Sequence, residues 1–278
     1  MQLNWFESLI YGLVCGFTEF LPVSSGAHGI LFSRLVGVMD AGFAMRLAVH
    51  IGMLIALMVL YGAQVSRLNR ERRIAAVPHR RRKRQPDAAS ILELSLLKTA
   101  AIPLLLGFIA YPWVGNQGSR LWILGLALIM NGVILYFPQF IPGANKDIRT
   151  MSRLDAFLVG LWGAVAVFPG ISRVGASLSA AHIRGLERQH GLQTAMLLSV
   201  PALIVFIVID IVYLFITGFA GFSFFTVFYM ITACAASAFS AYFGILLMRF
   251  LSVRIGYAGF AFYSWGAALF AFIIYLMT

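Results

Sequence analysis

Two short runs of this sequence set side chains capable of chemistry within a few residues of one another. The first carries Glu19, then Pro22-Val23-Ser24-Ser25-Gly26-Ala27-His28-Gly29; the second reads Pro169-Gly170-Ile171-Ser172-Arg173-Val174-Gly175-Ala176-Ser177. Together they supply a carboxylate, an imidazole, a guanidinium and several hydroxyls, set among Pro and Gly residues that interrupt helices. An acid and a base in apolar surroundings either pair with each other or hold something charged. Glu19, His28 and Arg173 are the ionisable members of such a site. For Glu19 and Arg173 the plain structural reading is a buried ion pair that docks the two runs on each other. For Ser24, Ser25, Ser172 and Ser177 it is capping, because a hydroxyl satisfies the open amides at a helix start. His50, in Val49-His50-Ile51-Gly52, and Asp210 are also ionisable, and packing or helix contacts account for both.

The elements that position these runs follow from composition. Of 278 residues, 61% are hydrophobic and 11% charged, and the mean hydropathy is +0.89. A water-soluble domain carries about 25% charged residues. The chain is therefore expected to be an all-α polytopic membrane protein. Its net charge of +11 does not point to nucleic acid, because nine of the 21 Lys and Arg fall between Arg67 and Arg84. Such a cluster between apolar segments marks a cytoplasmic loop, here about residues 64–92, that meets anionic lipid. The two cysteines, Cys15 and Cys234, make neither a disulfide framework nor a metal-ligand spacing. Met1 to Glu7 has no basic stretch or small-residue cleavage site, so no removable signal peptide is expected.

Apolar runs long enough to cross a bilayer, about 20 residues each, lie near 43–62, 95–114, 121–141, 192–217, 224–249 and 256–277. These predict six transmembrane helices in a single integral membrane domain, 1–278. Stretches 8–34 and 155–186 are apolar too, but the two reactive runs break them midway. Broken backbone at membrane depth must be buried in protein or line a wet cavity, which two re-entrant helical hairpins achieve. The order of a broken segment followed by three spans occurs twice, with Pro22 and Pro169 offset by 147 residues. The pattern predicts two inverted-topology repeats, about 1–141 and 155–278. Basic residues at Lys146–Arg153, Arg184–Arg188 and Arg249–Arg254 place those ends inside as well, so both broken segments meet near the midplane, where such repeats build their sites.

With these motifs assembled, the chain resembles the bacterial undecaprenyl-diphosphate phosphatases, the bacitracin-resistance family. The family's first motif, Glu-Gly-x-x-Glu-Phe-Leu-Pro-Val-Ser-Ser-x-x-His, is matched by Cys15-Gly16-Phe17-Thr18-Glu19-Phe20-Leu21-Pro22-Val23-Ser24-Ser25-Gly26-Ala27-His28. Its second, Pro-Gly-x-Ser-Arg-Ser-Gly-x-Thr, is matched by Pro169 to Ser177. Lys98 to Pro103, Leu197 to Pro201, Phe262-Tyr263 and Gly266 also look like family landmarks. The resemblance implies removal of the terminal phosphate of undecaprenyl diphosphate at the outer face of the bacterial plasma membrane, recycling the lipid carrier for cell-wall synthesis. It further implies catalytic roles for four residues: Arg173 as phosphate clamp, Ser25 as nucleophile or positioner of water, His28 as its base or acid, and Glu19 as orienter or divalent-ion ligand. Ser24, Gly26, Ser172, Gly175 and Ser177 would then line the phosphate site.

Departures from the pattern bear on that reading. Cys15 stands in place of the family's first Glu, Gly163 in place of a Gln, Val174 in place of a Ser, and Arg46 where many relatives carry Asp or Glu. Losing the paired acid weakens a site for Mg2+ or Ca2+; no organic cofactor is expected. A non-catalytic polyprenyl-phosphate flippase of the same fold is the rival reading, and a structural scaffold a third. The expected partners are a polyprenyl diphosphate lipid and membrane lipids. A homodimer joined through the small residues Ala233, Ala235, Ala236, Ser237 and Ala238 is also expected.

Overall fold

The computed structural model describes residues 3–38, 41–114, 120–143, 145–218, 223–254 and 256–277; the bounding residues Met1 and Thr278 of the single-domain reading lie outside them. Eleven α-helices run through the described residues: α1 (Trp5–Glu19), α2 (Ser25–Leu35), α3 (Gly42–Ala76), α4 (Ala88–Ile109), α5 (Tyr111–Val114), α6 (Leu121–Tyr136), α7 (Arg153–Ala164), α8 (Arg173–Ile183), α9 (Arg188–Thr217), α10 (Phe224–Arg254) and α11 (Ala258–Met277). Six of them, α3, α4, α6, α9, α10 and α11, are long and apolar enough to cross a membrane, and they fall on the six expected spans.

Each broken stretch is built by the same local chemistry. α1 opens on a capping box, with the Asn4 side chain accepting from the Glu7 amide at 2.9 Å and the Glu7 carboxylate accepting from the Asn4 amide at 2.7 Å. α7 repeats it with Ser152 and Asp155. Both helices stop at the Pro-containing break, and a serine then caps the next helix: Ser24 for α2 and Ser172 for α8. In the second stretch, Asp155 near the start of α7 bonds Arg184 just beyond α8 at 2.7 Å. The chain therefore returns to the end from which it set out.

The helices pack in matched pairs. α1 lies against α10 as α7 lies against α4, while α3 meets α9 and α6 meets α11. Glycine sets how closely these helices approach. A Cβ on Gly16 would sit 2.3 Å from the Ser237 carbonyl of α10, and one on Gly160 would sit 1.8 Å from the Ala100 carbonyl of α4. These backbones touch, as small-residue packing in membranes allows. One consequence corrects an expectation: Ala233, Ala236 and Ser237 are buried beneath α1 and α3 of the same chain, so most of that small-residue stripe is used internally.

The basic segment also differs from the loop expected over 64–92. α3 continues to Ala76 and α4 begins at Ala88, leaving 77–87 as the connection. At 35 residues α3 is about 53 Å long, well beyond the ~30 Å hydrocarbon core, so its arginine-rich end projects from the membrane. Arg, Ala, Leu, Gln and Glu are good helix formers, and nothing stops the helix before Val77-Pro78. Arg84 grips Glu71 with both terminal nitrogens, and Arg67 bonds Glu93 at 3.0 Å. Asp87 caps α4; hydrogen bonds from the Ser90 hydroxyl and amide hold its carboxyl below the usual carboxylate range.

Candidate active site

The tips of the two broken stretches are locked together by polar groups that sequence spacing alone does not pair. Ser24 holds φ at +67°, a conformation that costs a non-glycine residue of order 1–3 kcal/mol. Its Oγ accepts from the Ala27 amide of its own helix and from the Gly170 amide of the other break, at 3.4 and 3.1 Å. Ser172 answers in kind: its Oγ accepts from the Gly175 amide at 3.1 Å and donates to the Leu21 carbonyl at 3.2 Å. Asn131, fully buried on α6, bridges both tips. It accepts from the Ser172 amide at 2.8 Å and donates to the Pro22 carbonyl at 3.2 Å and the Ser264 hydroxyl at 2.9 Å. Replacing it by Leu strands a buried amide and a buried carbonyl, each at a cost of about 1–3 kcal/mol. The Asn131→Leu protein in detergent is expected to unfold at least about 5 °C below the parent in a thermal melt.

Beside this clasp lies a cavity of about 150 Å³, far above the ~10–15 Å³ a single water needs. Glu19, Ser24, Ser25, Gly26, Ser172 and Arg173 line it from the two broken stretches, and Arg46 and His50 line it from α3. Arg173 is 7% exposed. One terminal nitrogen donates to Glu19 Oε1 at 2.6 Å, the other to the Ser199 carbonyl at 3.3 Å, and Nε finds no partner among the described residues. The guanidinium is thus held by a carboxylate yet retains donors. Ser25 and Arg173 open α2 and α8, so two helix N-termini, each with open amides and a positive dipole end, converge on the cavity. The arrangement suits an anion.

Other expected site residues sit elsewhere. His28 does not line the cavity. Its Nδ1 lies 2.8 Å from the Ser24 carbonyl and its Nε2 lies 2.7 Å from the Tyr263 hydroxyl. A carbonyl only accepts, so Nδ1 carries the proton and Nε2 accepts from tyrosine; neither nitrogen is left for Ser25. The reason is angular: three residues on, a helical side chain has turned about 60° from its starting direction, and α11 offers Tyr263 there. Ser25 Oγ instead donates to the Cys15 carbonyl at 2.9 Å. Ser177 is buried and donates to the Val159 carbonyl at 3.3 Å, and Gly175 packs on Pro22. Neither lines the cavity. The hydroxyls of Ser24 and Ser172 do line it while serving as caps.

The spacing of His50 and Asp210 gave only packing, yet His50 faces the cavity. Its Nδ1 is 2.6 Å from Asp210 Oδ2, its ring stacks on Phe206 with centroids 5.2 Å apart, and Arg46 Nε is 3.9 Å from Asp210 Oδ1. Both are ionisable residues inside spans, which is the signal that marks them. Divalent-ion binding is poorly served. Glu19 already bonds Arg173, Asp210 faces His50, and no group of three His, Cys, Asp or Glu side chains gathers among the described residues. Mg2+ and Ca2+ need several oxygen ligands, and these residues do not fit one held by protein groups alone.

Fold and site together define a polytopic helical membrane protein with a charged cavity where two broken helices interlock. The chain belongs to the family of the bacitracin resistance protein BacA, whose sequence model matches residues 8–270. Among curated relatives, the undecaprenyl-diphosphatase of Nocardioides sp. is 31% identical over 207 residues, covering 73% of each chain. That of Jannaschia sp. is 33% identical over 204 residues, covering 73% of this chain and 74% of the relative. That of Micrococcus luteus is 33% identical over 202 residues, 72% of each.

Proposed function

We propose that this protein removes the terminal phosphate of undecaprenyl diphosphate, releasing inorganic phosphate and the monophosphate lipid carrier. The observation that carries the reading is the placing of Arg173, oriented by Glu19, on the same cavity as Ser25. Phosphoryl transfer asks chiefly for positioning and for fixed positive charge on the equatorial oxygens. The Arg173 fork supplies that charge and can hold two oxygens at once, with the helix N-termini of α2 and α8 adding amide donors. Ser25, the first residue of α2, attacks the terminal phosphorus, and the lipid monophosphate leaves. Glu19 keeps the fork in register. A protein-bound divalent ion is not part of this scheme.

Two inverted repeats support the site. The reciprocal packing of α1 on α10 and α7 on α4, with α3 on α9 and α6 on α11, is what a two-fold axis between the halves requires. The matched capping of both stretches and the Asp155–Arg184 bond favour re-entrant hairpins. Arg46, near the start of α3, and Tyr111, which opens α5 just past the end of α4, lie on the cavity wall remote from the basic segment. With that basic segment cytoplasmic, the cavity faces the outer side of the inner membrane, the side on which spent carrier would be recycled.

The test is purified protein in detergent with undecaprenyl diphosphate, with released phosphate followed with and without a chelator. Steady turnover that survives chelation is expected. No phosphate release, together with transbilayer movement of labelled lipid phosphate in proteoliposomes, would replace the phosphatase reading by that of a flippase.

A further inference from the structure

We infer that His50 is the proton-handling residue of this cavity and that Asp210 holds it in the form the reaction needs. The inference rests on the phosphatase reading. It starts from a conflict in the geometry: the imidazole nearest Ser25 in sequence, His28, has both nitrogens engaged, by the Ser24 carbonyl and the Tyr263 hydroxyl. The imidazole that lines the cavity is His50, on α3, 25 residues beyond Ser25 in the chain. Asp210, on α9, is 1% exposed and 2.6 Å from His50 Nδ1. A buried carboxylate accepts, so Nδ1 carries the proton and Nε2 is left as the basic nitrogen. That is how a carboxylate fixes the working tautomer of a catalytic imidazole and steadies the cation it becomes. The Phe206 ring stacked on His50 and the burial of Asp210 keep the pair rigid.

The step balances as follows. Ser25 Oγ bonds to the terminal phosphorus as the bridging P–O bond breaks, and its proton passes to His50 Nε2. The bridging oxygen leaves on the lipid monophosphate with the electron pair, and the imidazolium returns the proton to that leaving phosphate. In the second half, water attacks the phosphoserine and gives its proton to Nε2. The Oγ–P bond breaks, Ser25 recovers a proton from the imidazolium, and inorganic phosphate departs. His50 is neutral again at the end of each half.

Asp210 from α9 bonds this imidazole, and the other charged and titratable groups that share its cavity are Arg46 one turn earlier on α3, Tyr11, Cys15 and Glu19 from α1, Arg173 from α8 and Tyr111 from α5. The cavity thus carries two cations, Arg46 and Arg173, beside the Glu19 carboxylate, with Asp210 bonded to the imidazole.

The experiment measures phosphate release from undecaprenyl diphosphate by wild type, His50→Gln, His50→Ala, Asp210→Asn and His28→Gln across pH 5 to 9. His50→Gln is expected to lower kcat about 100-fold or more, with KM within about twofold and without the acid limb of the wild-type pH profile. Asp210→Asn, which no longer enforces the tautomer, is expected to lose a similar factor and to shift that limb. Added imidazole is expected to restore part of the rate of His50→Ala, which a packing role for the ring would not permit. His28→Gln is expected to keep the acid limb and lose less. Wild-type turnover with an unaltered His50→Gln profile, or with the acid limb lost only in His28→Gln, overturns the assignment alone. A wild type that releases no phosphate overturns the phosphatase reading beneath it.

Discussion

Arg173→Lys is expected to release phosphate from undecaprenyl diphosphate about 100- to 1,000-fold more slowly than the parent while still folding. The size follows from losing one preorganised donor set aimed at developing charge. Lysine preserves the charge opposite Glu19, so the buried pair survives, but a single ammonium cannot span two phosphate oxygens as the planar fork does. Arg173→Ala behaves differently. It leaves the Glu19 carboxylate, 13% exposed on its side chain, without its partner, and breaking a buried pair from one side costs about 3–5 kcal/mol. That variant should lose both activity and thermal stability. Combining it with Glu19→Gln should return much of the stability and none of the activity, because the two residues share one interaction and their effects do not add. Thermal melts and phosphate release on the four proteins separate the clamp from the dock. If Arg173→Lys turns over at the parental rate, the fork is a docking device and the phosphate is held elsewhere.

How much of this is legible in the sequence depends on the range of each interaction. The six spans were readable because a bilayer imposes a length and a polarity on every crossing helix, whatever its neighbours. The two breaks were readable because Pro22, Pro169 and the glycines beside them act within a few residues. Glu19 and Arg173 stood out since a charge in an apolar stretch needs a reason. What spacing misread was direction. His28 lies one helical turn from Ser25, yet the deciding partner, Tyr263, is 235 residues away. His50 and Asp210 are 160 residues apart, and each alone resembles a packed polar residue; only the docking of α3 on α9 makes them a pair. Asn131 carried no signal at all, because an amide in a span becomes informative only when the backbone groups it bridges are known. In the basic segment, charge fixes the side of the membrane whereas helix propensity fixes the backbone, so clustered arginines do not by themselves mark a loop.

Ser25→Ala is expected to abolish measurable phosphate release, a loss of at least about 1,000-fold, while leaving the melting temperature nearly unchanged. The hydroxyl bonds Cys15, donating to its carbonyl at 2.9 Å, and the capping of α2 belongs to Ser24, so little structure depends on it. For attack, the Ser25 proton must leave that carbonyl and turn toward a base, which makes the observed rotamer the resting one. A nucleophilic serine passes through a covalent phosphoenzyme. With substrate labelled in its terminal phosphate and an acid quench, wild type should therefore carry label on the protein, and Ser25→Ala should carry none. His50→Gln should accumulate little label if the same imidazole serves both halves, since the first transfer is then already slow. A Ser25→Ala protein that retains a tenth of the parental rate would assign the attack to water, with Ser25 as its guide, and the Arg173 clamp would stand unaltered beneath a different nucleophile.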